Sequence, residues 1–173
     1  MLLKLMGICM VMGGAFGILF AKETEYTQHK RQLTDFEQML MFLQNEICLL
    51  HLPIPVVLGH GAKELHHLYG LLCQEMLAAM EQQTQADATQ IWKDALEQFQ
   101  EDILLRGEEY RLLEQVGTVF RMDDVSLKEE LFGIYREQLT RLLSDYETSL
   151  VTKRRLSRYG TILAGVFFII LFV

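Results

Sequence analysis

The sequence predicts an all-α protein: a compact antiparallel bundle of about six helices between an N-terminal and a C-terminal transmembrane helix. Three observations carry this. Apolar residues recur at alternating steps of three and four through most of the chain, the spacing of one helix face. Alternating β-branched runs and Asn-Gly or Asp-Gly hairpin turns are absent. The two ends, 5–21 and 159–173, carry no charged side chain, and all 23 acidic residues lie between them. This divides the chain into a membrane segment over 1–21, a helical body over 22–158 and a second membrane segment over 159–173.

The first segment, Leu5 to Ala21, follows Lys4 and is rich in Met, Leu and Gly. Its length falls at the short end of the roughly 17–25 residues that span a bilayer. A signal peptide is the competing reading, with Lys4 as the basic region and Leu5 to Phe20 as the apolar one. Leu19 stands where a cleavage site wants a small residue. Gly7, Gly13, Gly14 and Gly17 allow close approach of another helix, most simply the chain's own second membrane helix.

In the body, Leu33, Phe36, Leu40, Leu43, Ile47 and Leu50 form one stripe on a helix running on from the first segment. Leu52-Pro53-Ile54-Pro55 ends it, because each Pro disfavours helix in the residue before it. Pro55 opens a short helical turn through Leu58, and Gly59-His60-Gly61 is expected to break the chain. A long helix is expected over 62–83, with Leu65, Leu68, Leu72, Met76 and Ala79 facing inward. Thr84 to Asp87 reads as a linker with Asp87 as N-cap. A third helix carries Ile91, Trp92, Ala95, Leu96, Phe99 and Ile103, and Gly107 marks its end or a kink. A fourth carries Leu112, Leu113, Val116, Val119 and Phe120. Met122 to Val125 is a turn, with Ser126 as cap and Glu129 as its capping-box partner. The last helix carries Leu131, Tyr135, Leu139, Leu142, Tyr146 and Leu150 toward the second membrane segment. That segment, Tyr159 to Val173, reaches about 22 Å as helix, short of a ~30 Å core. Bilayer thinning or snorkelling by Arg155 and Arg158 would close the gap. Its run from Phe167 to Val173 has no polar face to turn toward water.

Flanking cations set the expected orientation. Lys22, Lys30 and Arg31 follow the first segment, and Lys153, Arg154, Arg155 and Arg158 precede the second. The body is therefore expected in the cytoplasm, between the legs of a membrane hairpin. It holds 15 cations against 23 anions. A whole-chain net charge of −7 and a sequence pI near 5.2 argue against a general nucleic-acid binder.

No catalytic constellation is present. There is no phosphate loop and no nucleophile elbow. Cys9, Cys48 and Cys73 are far apart and odd in number, which gives neither a C-x-x-C pair nor a disulfide framework. The adjacent His66 and His67 point about 100° apart on a helix and do not chelate as an i, i+4 pair would. Asp123-Asp124 suits a helix-capping turn better than a Mg²⁺ site. Glu108-Glu109 and Glu129-Glu130 read as solvated faces. Met6, Met10, Met12, Met39 and Met41 suit packing near the membrane, and Trp92 suits a core anchor. The expectation is a non-enzymatic protein without cofactor or metal.

Taken together, the chain resembles the stage III sporulation protein AB family of endospore-forming bacteria. Leu43-Gln44-Asn45-Glu46-Ile47, then Leu52-Pro53-Ile54-Pro55 and Leu58, resembles that family's Glu-Ile and Pro-Leu-Pro signature. Trp92-Lys93-Asp94-Ala95-Leu96 is similar to its W-x-x-A-L. Leu113 to Gly117, leading to Asp123, is similar to its L-x-x-L-G segment and Asp turn. Arg158-Tyr159-Gly160 and Ala164-Gly165 resemble its closing membrane helix. Three positions depart from the pattern: Ile54 between the prolines, Arg121 near the usual second Gly, and Leu127 where a polar residue is usual.

The resemblance implies a place in the channel between mother cell and forespore. The protein would sit in the outer forespore membrane with its body in the mother-cell cytoplasm. It implies a fold similar to the cytoplasmic domains of type II secretion F and pilus platforms. The implied partners are a hexameric secretion-type ATPase, stage III sporulation protein AA, and other channel components, beside membrane lipids. Under this reading Glu108, Glu109, Asp123 and Asp124 are the candidate partner contacts. The alternative is a membrane-tethered regulatory or ligand-binding domain, with a pocket near His60, His66 and Tyr69.

Overall fold

A computed structural model describes the backbone of residues 26–82 and 87–172, and the side chains of these as far as residue 148. Its described residues form six helices and no strand. Helix α1 covers 26–44. Leu33, Phe36, Leu40 and Leu43 are buried along it, as their spacing predicts, with Met39 beside them. The helix then widens into a π turn, Asn45–Leu49, closed by the Leu50 amide on the Asn45 carbonyl at 3.0 Å. His51 turns the chain at φ 53°, and Pro53 caps the next helix in extended backbone.

Helix α2, Ile54–Glu64, runs through the expected break at Gly59-His60-Gly61. The reason is packing. A Cβ on Gly61 would stand 2.9 Å from Cys73 Sγ and 3.3 Å from the Phe42 ring. Here glycine lets α2 lie close against α1 and α3 rather than ending a helix. The chain turns instead at Leu65 and His66, and α3 covers His67–Gln82. Leu68, Leu72 and Met76 are buried on it as expected, and Leu65 and Ala79 partly so. Of the expected linker, 84–86 lie outside the described residues.

Helix α4, Ala88–Gln98, starts where Asp87 accepts from the Thr89 amide at 3.1 Å, the predicted cap. It stops at Phe99, so Ile103 lies outside it, buried in an irregular stretch with Leu105. The Asp102 and Ile103 amides still turn back onto the Phe99 carbonyl, and beyond them the Gln32 side chain supplies partners. Its amide donates to the Asp102 carbonyl at 2.7 Å, and its Oε1 accepts from the Leu104 amide at 2.7 Å.

Helix α5, Glu108–Val116, begins at Gly107 and tightens into a 3₁₀ turn, Gly117–Arg121. Trp92 closes this corner. Its Nε1 donates to the Leu113 carbonyl at 3.0 Å, and its ring lies 5.7 Å from that of Phe120. A Cβ on Gly117 would come within 2.5 Å of the indole, so only glycine fits.

Helix α6, Val125–Phe172, is 48 residues long. Asp124, not Ser126, caps it, accepting from the Ser126 amide at 2.8 Å. The acid two residues upstream reaches the free amides first, so the helix begins before the Ser. Phe132, Tyr135 and Leu139 carry α6 into the common core. The backbone of 159–172 continues this helix, with side chains outside the described residues. The segment 1–21 lies wholly outside them. Among the described residues no helix is long and apolar enough to cross a membrane.

Candidate functional site

Helices α1 and α6 pair antiparallel, and their contacts define two ends of the molecule. At one end Lys30 Nζ meets Glu147 Oε1 at 2.7 Å, the Tyr146 hydroxyl donates to the Tyr26 carbonyl at 3.2 Å, and the His29 and Tyr146 rings lie 4.7 Å apart. Nearer the other end Arg136 Nη1 donates to Gln44 Oε1 at 3.2 Å. Tyr26 and Glu147 therefore stand at the same end of the bundle, the arm end.

That arm end is a polar junction. His29 Nε2 lies 2.8 Å from Glu109 Oε2, with side-chain exposures of 16% and 13%. A carboxylate only accepts, so Nε2 carries the proton. Glu109 also accepts from the Arg106 amide at 3.2 Å. Arg31 donates to His67 Nε2 at 3.2 Å. Tyr69 is buried beneath, its hydroxyl donating to the Gln32 carbonyl at 3.1 Å. Burial, with Asp35 and Glu109 nearby, pushes that phenol well above its ordinary range. Arg31, His67, Tyr69 and Glu109 are named by the sequence, but not their meeting, because apart from the Arg106–Glu109 turn these partners lie 36 to 80 positions apart.

The four candidate partner contacts do not form one cluster. Glu108 and Glu109 open α5, while Asp123 and Asp124 follow its 3₁₀ extension. Glu108 and Asp123 are exposed. Glu109 is held by His29, and Asp124 by the cap of α6. Of the cations expected to orient the chain, Lys30 and Arg31 lie at the arm junction. Lys22 and the side chains of Lys153, Arg154, Arg155 and Arg158 lie outside the described residues.

His60, His66 and Tyr69 do not converge on a pocket. His60 Nδ1 pairs with Glu46 Oε2 at 2.9 Å, the His66 ring faces His67, and Tyr69 is core. A shallow cleft of about 200 Å³ lies elsewhere, between α3 and α4, lined by Glu75, Ala79, Gln82, Ile91, Asp94, Ala95 and Gln98. Among the described residues no three His, Cys, Asp or Glu side chains group to hold a metal ion.

At the end opposite the arms, the π turn packs against both α2 and α6. Leu49 and Leu50 are 65% and 60% exposed there.

An all-helical bundle in which the first and last described helices run antiparallel defines a helical-bundle protein. The chain belongs to the stage III sporulation protein AB family, whose model matches residues 4–173. Comparisons with curated proteins and with solved structures found no match.

Proposed function

We propose that the chain is a non-enzymatic membrane platform of a stage III sporulation channel, a secretion-like apparatus between mother cell and forespore. It docks a companion hexameric secretion-type ATPase, stage III sporulation protein AA, to the membrane machinery. The segments 1–21 and 159–173 anchor it in the outer forespore membrane, with the bundle in the mother-cell cytoplasm.

The observation that carries this reading is the antiparallel pairing of α1 and α6. Lys30–Glu147 and Tyr146–Tyr26 hold the two arms side by side at one end. Two apolar segments continuing from such arms enter a membrane together. The other end is then held away from it by the length of α1, about 28 Å. An acidic body in that position favours encounter with a basic partner. The family membership supplies the sporulation setting.

The test is a titration of the full-length protein in nanodiscs with the companion ATPase, following binding and ATP hydrolysis together. Saturable binding, with or without a change in hydrolysis rate, is expected. No binding at high micromolar concentration removes the docking role.

A further inference from the structure

The end of the bundle away from the arms carries a patch that the fold does not use. Leu49 and Leu50 are 65% and 60% exposed, and Val56 and Leu127 are 42% and 43% exposed. They come from the π turn and the loop after it, and from the starts of α2 and α6, the two helices that the π turn packs against. Cys48, inside the π turn, lies within electrostatic reach of Lys128 and Glu129 on α6. The Leu52 amide closes back on the Glu46 carbonyl at 3.0 Å.

This geometry is costly to hold. His51 takes φ 53°, a backbone conformation disfavoured for a non-glycine residue. Leu49 and Leu50 forgo most of the burial that a core leucine gains. π turns of this kind recur at functional sites. The buried face of the same turn, Ile47 and Cys48, already serves the core, so Leu49 and Leu50 are not needed there.

The charges beside the patch select its occupant. Glu129, within electrostatic reach of Cys48, and Glu130, one helical turn from Leu127, are exposed beside it. Lys128, the cation next to them, is buried at 9% exposure. An acidic rim disfavours a second copy of this chain, which would bring like charges together, and also an anionic lipid surface. It fits a protein that offers an apolar pocket bordered by Lys and Arg.

We infer that the Leu49–Leu50 tip, rimmed by Glu129 and Glu130, is the docking surface for a partner protein with a basic-rimmed apolar pocket. This rests on the platform reading, under which that partner is the companion ATPase. The two leucines enter the pocket, and the acids speed encounter and fix register.

The experiment titrates the ATPase against full-length protein in nanodiscs, wild type and variants, with a thermal melt of each. Leu49→Ser with Leu50→Ser is expected to weaken binding by 30-fold or more, since truncating a central anchor costs about tenfold or more. Glu129→Lys with Glu130→Lys is expected to slow association and to flatten its salt dependence. Leu71→Ser, exposed on α3 near the arm junction, is expected to bind as wild type. If the double serine variant melts early, Leu127→Ser replaces it, with at least a fivefold loss expected. Wild-type binding with both tip variants unaffected overturns the tip as the docking surface and leaves the platform reading standing. No binding by wild type overturns both. A tip variant that disperses an oligomer of this chain but keeps the ATPase would make a second copy the occupant, and also overturns the inference.

Discussion

Burial holds the Cys73 thiol at about 12, against an ordinary value of 9.0. Cys48 is raised as well, by desolvation first and by Glu129 second, with Lys128 opposing. The folded state therefore keeps Cys73 protonated where the unfolded chain would ionise. The stability from this group is complete below pH 9 and is lost as pH rises toward 12. Its slope there is at most about 1.4 kcal/mol per pH unit. In a Cys9→Ser background, Cys73 is expected to resist an alkylating reagent at pH 8 until the protein is unfolded. Adding Cys73→Ala should flatten the alkaline limb of a urea-melt stability profile. Rapid labelling of the folded protein, or an alkaline limb unchanged in the alanine variant, would contradict this. The buried stripe around these thiols was legible in the sequence, because Leu33, Phe36, Leu40 and Leu43 obey the helical period. The ties of Gln32 to Asp102 and Leu104 were not, and neither was His29 with Glu109. Polar contacts between distant segments leave no periodic trace.

The helices themselves were mostly legible, and their ends less so. Asp87 was found because a carboxylate before a helix has few other uses. The cap of α6 was misread by two residues because Ser126 and Glu129 imitate a capping box. The structure separates the two positions by experiment. Asp124→Ala is expected to cost about 1 kcal/mol, the usual loss for a helix N-cap. Ser126→Ala, whose hydroxyl holds no such place, is expected to stay within about 0.5 kcal/mol of wild type. Urea denaturation of both variants checks this, and equal losses would return the cap to the serine. Gly59-His60-Gly61 misled for a different reason. Glycine breaks a helix by propensity, yet at Gly61 the pressure comes from Cys73 and Phe42, residues of two other helices. A close crossing and a chain break ask for the same residue.

For the whole molecule, the pairing of α1 with α6 sets which ends are near and which are far. Spin labels at positions 30 and 147 are expected within about 20 Å of each other. Labels at 30 and 49 are separated by nearly the full length of α1, about 28 Å between backbones. Pulsed dipolar spectroscopy on the nanodisc protein measures both, and a reversed order would refute the antiparallel arrangement. The ion pair between Lys30 and Glu147 is itself exposed and worth little. The Tyr146 contacts and the core beneath them hold the arms together. The apolar ends and their flanking cations were legible from charge alone. The tip was not, because an exposed Leu50 and a buried Leu43 occupy the same stripe. Only the widening of the helix at Asn45–Leu49 turns one of them outward.

Helix α6 starts at the Asp124 cap beside the acidic tip and continues as one hydrogen-bonded ladder to Phe172. Its 48 residues make a rod about 72 Å long. It carries no proline, the commonest cause of a kink. Core contacts at Phe132, Tyr135 and Leu139 and the α1 contacts of Tyr146 and Glu147 clamp its first half to the bundle. A tilt of α6 therefore turns the bundle with it, and about 5° about Tyr135 displaces the Phe172 end by roughly 5 Å.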